Sequence, residues 1–593
     1  MEVCCDIETD SLSPTVIWCI GAKDLATGKV YVWRTEEEIR NGFTFFARDV
    51  TKWIGHNFLS FDAPALRRLV GVVIPEHTIS DTLILSRLRF TGLRHKHSLE
   101  SWGETLGYPK GEFTDFAGGV SPEMVAYMMR DVELTEKLYH YLTEELKGFH
   151  PYCTQLEHKV QAILNQQKID GFYLNAPKAW GIHAELTEKI NTLEKEIQDD
   201  FPPITKLKEV YNPRRTKDGS LYTSSERKLE KFSTRRLVAN GSYELYETVP
   251  FNLGSSQQIV ERMNELGWEP VEFTDKGTPK VSEANFATLP KDAPLSAHKI
   301  GEWLMLRNRK TVLENWFNAY NPETRRLHGT CIGIGAITHR MAHRNPQMGN
   351  IPAVRSPYGE ALRSCLGVED PDNYAILGVD LSSIQLCILA HYLDDEGYTN
   401  AVAFGDKKKG TDAHTFNRDI LRQVTPNTDR DMAKTFIYAM LLGGGGEKLG
   451  SILGVNADKG YKAKKLLSDG IPKFGSVQRM CETAAKRGYM IGLDGRHTPV
   501  KSKHFALSVY LQCGEAIIMK QTLCFLHDGR FKHLDWKQLA VVHDEVQLEV
   551  RREQAEELAR GILSCIVEAG KLFQLRCPLA GEYQIGQTWA DSH

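Results

Sequence analysis

No run of apolar residues in this sequence approaches the about 18 that a membrane-spanning helix needs, which excludes that class and sets the expectation of no membrane partner. The opening residues MEVCCDIETD carry acids where a secretory leader carries basic residues and then an apolar stretch, so a cytoplasmic protein is expected. The 12 cysteines include no CxxC pair and no spacing suited to zinc, and several, such as Cys387 and Cys513, lie in apolar helical contexts. They read as reduced core thiols. Net charge is only −3, so the chain as a whole is not a basic nucleic-acid binder, and only local clustering could supply such a surface.

What is present is a long globular sequence. Its 593 residues exceed one ordinary core and suggest roughly three or four domains. A local basic cluster does occur, at residues 205 to 236, where ten Lys and Arg side chains outnumber Glu209, Asp218, Glu226 and Glu230.

In EVCCDIETD the residues alternate across a short strand, so Asp6 and Glu8 project from one face. Asp62 follows a turn in WIGHNFLSFDAPAL and opens a helix. In MVAYMMRDVELTEKLYHYL, Tyr127 and Asp131 lie four residues apart on one helix face. Singly, each acid reads as structural, Asp62 as an N-cap and Asp131 as an ion-pair partner. As an ordered set, Asp, Glu, Asp and Tyr-x-x-x-Asp resemble the DEDD exonucleases of the tyrosine-bearing subtype. The resemblance implies that Asp6, Glu8, Asp62 and Asp131 hold two metal ions and that Tyr127 orients the attacking water.

The stretch AVVHDEVQLEV places His543, Asp544 and Glu545 at the bend of a predicted β-hairpin. Taken alone it fits a solvated turn or a cation site. A candidate partner is Asp380, at the end of the predicted strand Tyr374 to Val379 and just before a helix beginning near Ser382 and Ser383. Two such carboxylates suit two-metal phosphoryl transfer. In TDRDMAKTFIYAMLLGGGG, Arg430, Lys434 and Tyr438 recur every four residues and share one helix face, with Asp429 able to cap its start and Gly443 to end it. Two cations followed by a ring form a face suited to a nucleotide.

The stretches GVDLSSIQLCILAHYL, RDMAKTFIY and VHDEVQ resemble motifs A, B and C of family A DNA polymerases, and the resemblance extends over essentially the whole chain, most nearly to the replicative enzymes of short-tailed bacteriophages. It implies an α/β (α+β) protein in which an RNase H-like exonuclease domain precedes a right-hand polymerase. The expected boundaries are 1–150 for the exonuclease, 151–322 for the thumb, 323–392 and 508–593 for the palm, and 393–507 for the fingers. Asp380, Asp544 and the backbone of Leu381 would ligate metal, with Glu545 as a further catalytic acid. His414, Arg430 and Lys434 would hold the triphosphate, Tyr438 would pack on the sugar, and Arg340, Gln512 and His543 would contact primer or template. Mg2+ is the implied ion, two at each centre, with Mn2+ as the substitute.

The implied reaction is primer extension with 3′→5′ proofreading, the alternative being an exonuclease whose second half only grips DNA. Implied partners are primer-template DNA, deoxynucleoside triphosphates, a replicative helicase, and a processivity factor such as host thioredoxin at the insertion 200–250, in the cytoplasm of an infected bacterium. Three positions depart from the family, one of them Cys387 in place of a common arginine. Gln385 replaces a Glu that bonds the aromatic of motif B and crowds the ribose 2′ position, and as a near isostere it is expected to keep that bond. Leu442 stands where relatives carry Tyr.

Overall fold

The computed structural model describes residues 1–592 other than 93–96, 271, 275–276, 287 and 290–291. The chain divides into two compact units, Met1–Ala176 with Asn315–His593, and Pro177–Glu314. Among the described residues no helix is long and apolar enough to cross a membrane, and all 12 cysteines are buried free thiols.

The larger unit begins with strands β1 (Glu2–Thr9), β2 (Ile17–Asp24), β3 (Val30–Trp33), β4 (Lys52–Gly55) and β5 (Ile79–Asp81). They form one sheet in the order β3-β2-β1-β4-β5, antiparallel from β1 through β2 to β3 and parallel from β1 through β4 to β5. Helices α1 (Asp62–Val70) and α2 (Pro122–Glu145) accompany it. The period of two divides β1 between two cores. Val3, Cys5 and Ile7 enter an aromatic cluster with Trp53 and Phe58, while Cys4 meets Val132 of α2. Asp6 and Glu8 share the parity of Cys4 and therefore face α2. That helix starts at Ser121, whose hydroxyl accepts from the Met124 N–H, with Pro122 in the first turn.

Helix α3 (Pro151–Asp170), at the start of the stretch 151–322 expected as thumb and connecting region, belongs to the larger unit. Buried ion pairs hold it there. Glu157 on α3 accepts from Arg496 at 2.5 Å and from Lys520 at 2.6 Å, all three being essentially inaccessible to solvent. His158 Nε2 accepts from the backbone N–H of Asp81, which ties α3 to β5.

The second unit contains most of α4 (Ala176–Asp200), then β6 (Ile204–Tyr211), α5 (Thr223–Glu230), β7 (Thr234–Leu237) and β8 (Tyr243–Val249), and most of α6 (Leu295–Ala319). The basic insertion is thus a folded module. β8 pairs with β6 on one side and β7 on the other, and α5 is tied to the sheet by Lys228 to Glu209 at 2.9 Å.

Returning to the larger unit, β9 (Tyr374–Leu381) leads into α7 (Ile384–Leu393), and α8 (Ala413–Leu421) and α9 (Arg430–Leu441) follow. Helix α10 (Lys503–Leu526), the hairpin β10 (Trp536–Val542) and β11 (Glu545–Arg551), α11 (Ala555–Leu572) and β12 (Gly581–Gly586) complete it. The four strands form an antiparallel sheet in the order β10-β11-β9-β12. α10 is buried nearly all round, packing on α11, α3 and α7, so its polar side chains sit in the interior.

Candidate active sites

At the first site the sequence set converges. Ligand-type oxygens of Asp6, Glu8 and Asp131 all lie within 4.8 Å of one another. Asp62 joins them. Its charge is the foremost neighbour raising the pKa of Asp6, although burial raises it more. Asp62 is the first residue of α1 and 3% exposed, and the helix is preceded by Phe61 with no side-chain cap. The capping role is therefore absent, and its carboxylate is available to the cluster.

Burial holds all four acids above their ordinary range, neighbouring acids add to it at Asp6, Glu8 and Asp62, and Glu8 stands at about 8 through burial and then Asp131. Asp131 Oδ1 is buried without a hydrogen-bond partner. Its Oδ2 accepts from Lys110 at 2.7 Å, and the same ammonium lies 4.8 Å from the centroid of the Tyr127 ring. An orphaned carboxylate oxygen among close acids fits hard divalent cations. Lys110 was not foreseen. Its sequence setting, YPKGEF, reads as a loop, and only the fold brings it to Asp131. A cleft of about 1290 Å³ opens beside Tyr127, walled by Asn57, Lys110, Arg87 and, from the polymerase-motif half of the chain, Arg344.

At the second site, β10 and β11 are joined by His543 and Asp544 alone, with His543 at φ 58°. A positive φ at the first of two loop residues suits the twist of a tight hairpin. Asp380 pairs with Glu545 across β9 and β11, and the Leu381 N–H donates to the Asp544 carbonyl at 3.0 Å. The two aspartates are thus set side by side by strand register. Asp380 is exposed near the end of β9, yet the neighbouring protein desolvates its carboxylate. That desolvation, then Asp544, Glu545, Glu582 and Glu515, raise it to about 8. Burial and then Glu515 raise Asp544 to about 6.

Glu545, expected as a catalytic acid, is engaged in hydrogen bonds. It is 6% exposed, and its Oε1 accepts from the Trp589 indole at 2.7 Å and from the Gln547 amide. It anchors the C-terminal segment behind the hairpin.

Helix α9 has the expected face. Asp429 caps it, accepting from Met432 N–H at 2.7 Å, and Gly443 at φ 91° follows its end. Ala433, Phe436, Ile437 and Met440 are buried, which leaves Arg430, Lys434 and Tyr438 on the other side. Arg430 donates to Asp412 at 2.9 Å. Burial works against the Asp412 anion, but Arg430 and Thr415 outweigh it and bring its pKa to about 2. His414 is lowered to about 4 by burial and then by Arg430 and Lys434, and its ring lies 5.9 Å from that of Tyr438.

Glu515 of α10 was missed. It is 1% exposed and accepts from Arg340 at 2.7 Å and from the Gln385 Nε2 at 2.7 Å. The Gln385 bond expected to motif B's aromatic is made to this carboxylate, which leaves the buried Gln385 Oε1 without a partner. The available signal was a lone acid in the apolar run SVYLQCGEAIIM, since buried acids are rare unless paired. Gln512 lies one turn from Glu515 on α10, and Arg340 contributes to lowering His543 after burial does.

Residues 224–591 match the family described as DNA polymerase family A, which is more than half of the chain. The chain belongs to this family. The polymerase is 28% identical to the DNA-directed DNA polymerases of Enterobacteria phage T3 and Escherichia phage T7, each over 91% of this chain and 92% of the relative. It is also 28% identical, over 57% of its length and 42% of the relative, to the thermostable DNA polymerase I of Thermus aquaticus. Its fold is similar to a solved POL domain of Pol1 from M. smegmatis in complex with DNA primer-template and dNTP. The TM-score is 0.74 at 17% identity, covering 100% of this chain and 96% of that one.

Proposed function

We propose that this polymerase extends primers on a DNA template at Asp380 and Asp544 and removes 3′ nucleotides at Asp6, Glu8, Asp62 and Asp131. What supports the reading is that each group of acids is held together against its own repulsion, with burial opposing ionisation at every member. Two divalent ions at each centre, magnesium with manganese as substitute, would be held by these carboxylates and the Leu381 backbone, supplying Lewis acidity and charge neutralisation for the attacking and leaving oxygens.

The chain's own residues do the rest. Arg430 and Lys434 bind the triphosphate of an incoming deoxynucleotide. His414, held near 4 by burial and the two cations, is neutral at physiological pH and contributes a hydrogen bond instead of a charge. Tyr438 packs against the sugar. Arg340, Gln512 and His543 position the primer-template, and Tyr127 orients the hydrolytic water at the first centre with Lys110 holding Asp131. In this reading residues 1–150 form the exonuclease, 323–392 with 508–593 the palm, and 393–507 the fingers.

Primer extension with magnesium and four deoxynucleotides tests the proposal. The parent should extend and Asp380→Ala should not. Extension by Asp380→Ala at the parental rate would refute the assignment.

A further inference from the structure

From Ala506 onward α10 is packed on nearly every side, but Phe505 in its first turn is 54% exposed. Its ring meets that of His504 edge-on at 5.2 Å and otherwise stands in solvent. A large apolar ring held out of the core, at the start of a helix whose other apolar side chains are nearly all buried, adds little to stability. Its surroundings suggest what else it does.

Phe505 sits where α9 ends. Gly443 follows that helix at φ 91°, and the point that a Cβ on Gly443 would occupy lies 3.6 Å from the Phe505 ring, an ordinary van der Waals contact. Leu442, just before Gly443, is 40% exposed. It is the next step of the row Arg430, Lys434 and Tyr438, four residues and about 6 Å along the axis beyond the last of them. The row thus runs from two cations through one ring to an apolar end that Leu442 and Phe505 form together. Tyr461 is the rival ring, but it is seated against Gly446, past the turn that ends α9.

A nucleotide presents phosphates, sugar and base in the same order. With the phosphates at Arg430 and Lys434 and the sugar on Tyr438, the base and the templating base opposite it come to the Leu442 end. Leu442 offers apolar contact but no π-face. Phe505 supplies one, and stacking on it is indifferent to sequence because every base has such a face. Relatives carry their ring at position 442, on α9 itself, whereas this chain brings a ring to the same end from α10. We propose that Phe505, seated beside Leu442, stacks on the base pair forming between the template and the incoming deoxynucleotide. The inference rests on the primer-extension reading above.

The test places 2-aminopurine at the templating position of a primer-template with a blocked 3′ end and reads its fluorescence on the full chain with the next deoxynucleotide present. Stacking quenches the probe, so Phe505→Ala should brighten it several-fold over the parent. In steady-state extension Phe505→Ala should raise KM about tenfold for all four deoxynucleotides, with kcat within about twofold of the parent, as expected when a contact made equally before and during reaction is lost. Phe505→Trp should restore the parental KM, and Phe505→Leu, which keeps apolar bulk without a ring, should not. Unchanged fluorescence and KM in Phe505→Ala overturn the proposal. So does a fall in kcat at unchanged KM, rescue by Leu equal to rescue by Trp, or the same brightening from Tyr461→Ala in place of Phe505→Ala. A parent that quenches the probe yet adds no nucleotide to an unblocked primer would defeat the reading above and leave the stacking contact standing.

Discussion

Glu515 sets a further buried carboxylate near Asp544, its charge balanced by Arg340. Its removal has two consequences. The Arg340 guanidinium and the Gln385 amide lose a buried acceptor, which costs about 1–3 kcal/mol, and Asp544 loses the neighbour that contributes most to its raised pKa after burial. Glu515→Ala is therefore expected to lower the midpoint of chemical unfolding and to move the acid limb of the pH profile for primer extension to lower pH. A limb that stays in place would show that Glu515 does not act on Asp544. On the proposed nucleotide face of α9, Tyr438 carries a hydroxyl that hydrogen-bonds Ser383. The polymerase is expected to accept dideoxynucleotides readily and Tyr438→Phe to accept them less well, as read by the ratio of dideoxy to deoxy incorporation. Equal ratios for the two proteins would contradict this.

The hairpin β10–β11 is fixed from behind by the C-terminal segment. Trp589 is fully buried, stacks on Phe172 at 5.7 Å and donates to Glu545, the cross-strand neighbour of Asp380. Trp589→Phe keeps a ring and removes the donor, so a loss of about 1–3 kcal/mol is expected on unfolding in urea, together with slower nucleotide addition as the hairpin loosens. Unchanged stability would mean that the indole N–H carries no weight. The elements also show how far sequence reading reaches. Asp6 and Glu8 were legible because a strand's period of two is a local property, and the face of α9 because the i, i+4 spacing is. The module β6–α5–β7–β8 was not. Its core is little more than Leu229 and Leu245, and charge pairs add to it, Lys208 with Glu247 between strands and Lys228 with Glu209 between helix and strand, which leave no apolar period to read. Lys110 and α3 escaped for a related reason, since their roles come from packing against residues far along the chain.

Across the whole molecule, both centres store unfavourable charge. Glu8 and Asp380 are each held near 8 by burial and neighbouring acids, against 4.5 and 3.8 for free groups. Between those limits the folded chain binds more protons than the unfolded one, so without divalent ions its stability falls as pH rises toward 8. Cations bound to the native acids offset that loss. The gain in Tm on replacing EDTA with magnesium is therefore expected to be larger at pH 8 than at pH 5.5. An equal gain at both values would contradict the electrostatic account. On the proposed reading, one chain carries two separate carboxylate centres, one that adds nucleotides and one that removes them. A time course on a primer with a mismatched 3′ end, comparing the parent, Asp544→Ala and Asp6→Ala with magnesium and four deoxynucleotides, tests it most directly. Asp544→Ala should shorten the primer and never extend it, and Asp6→Ala should extend matched primers while failing to trim the mismatch. Loss of both activities in either folded variant, or of neither in both, would contradict it.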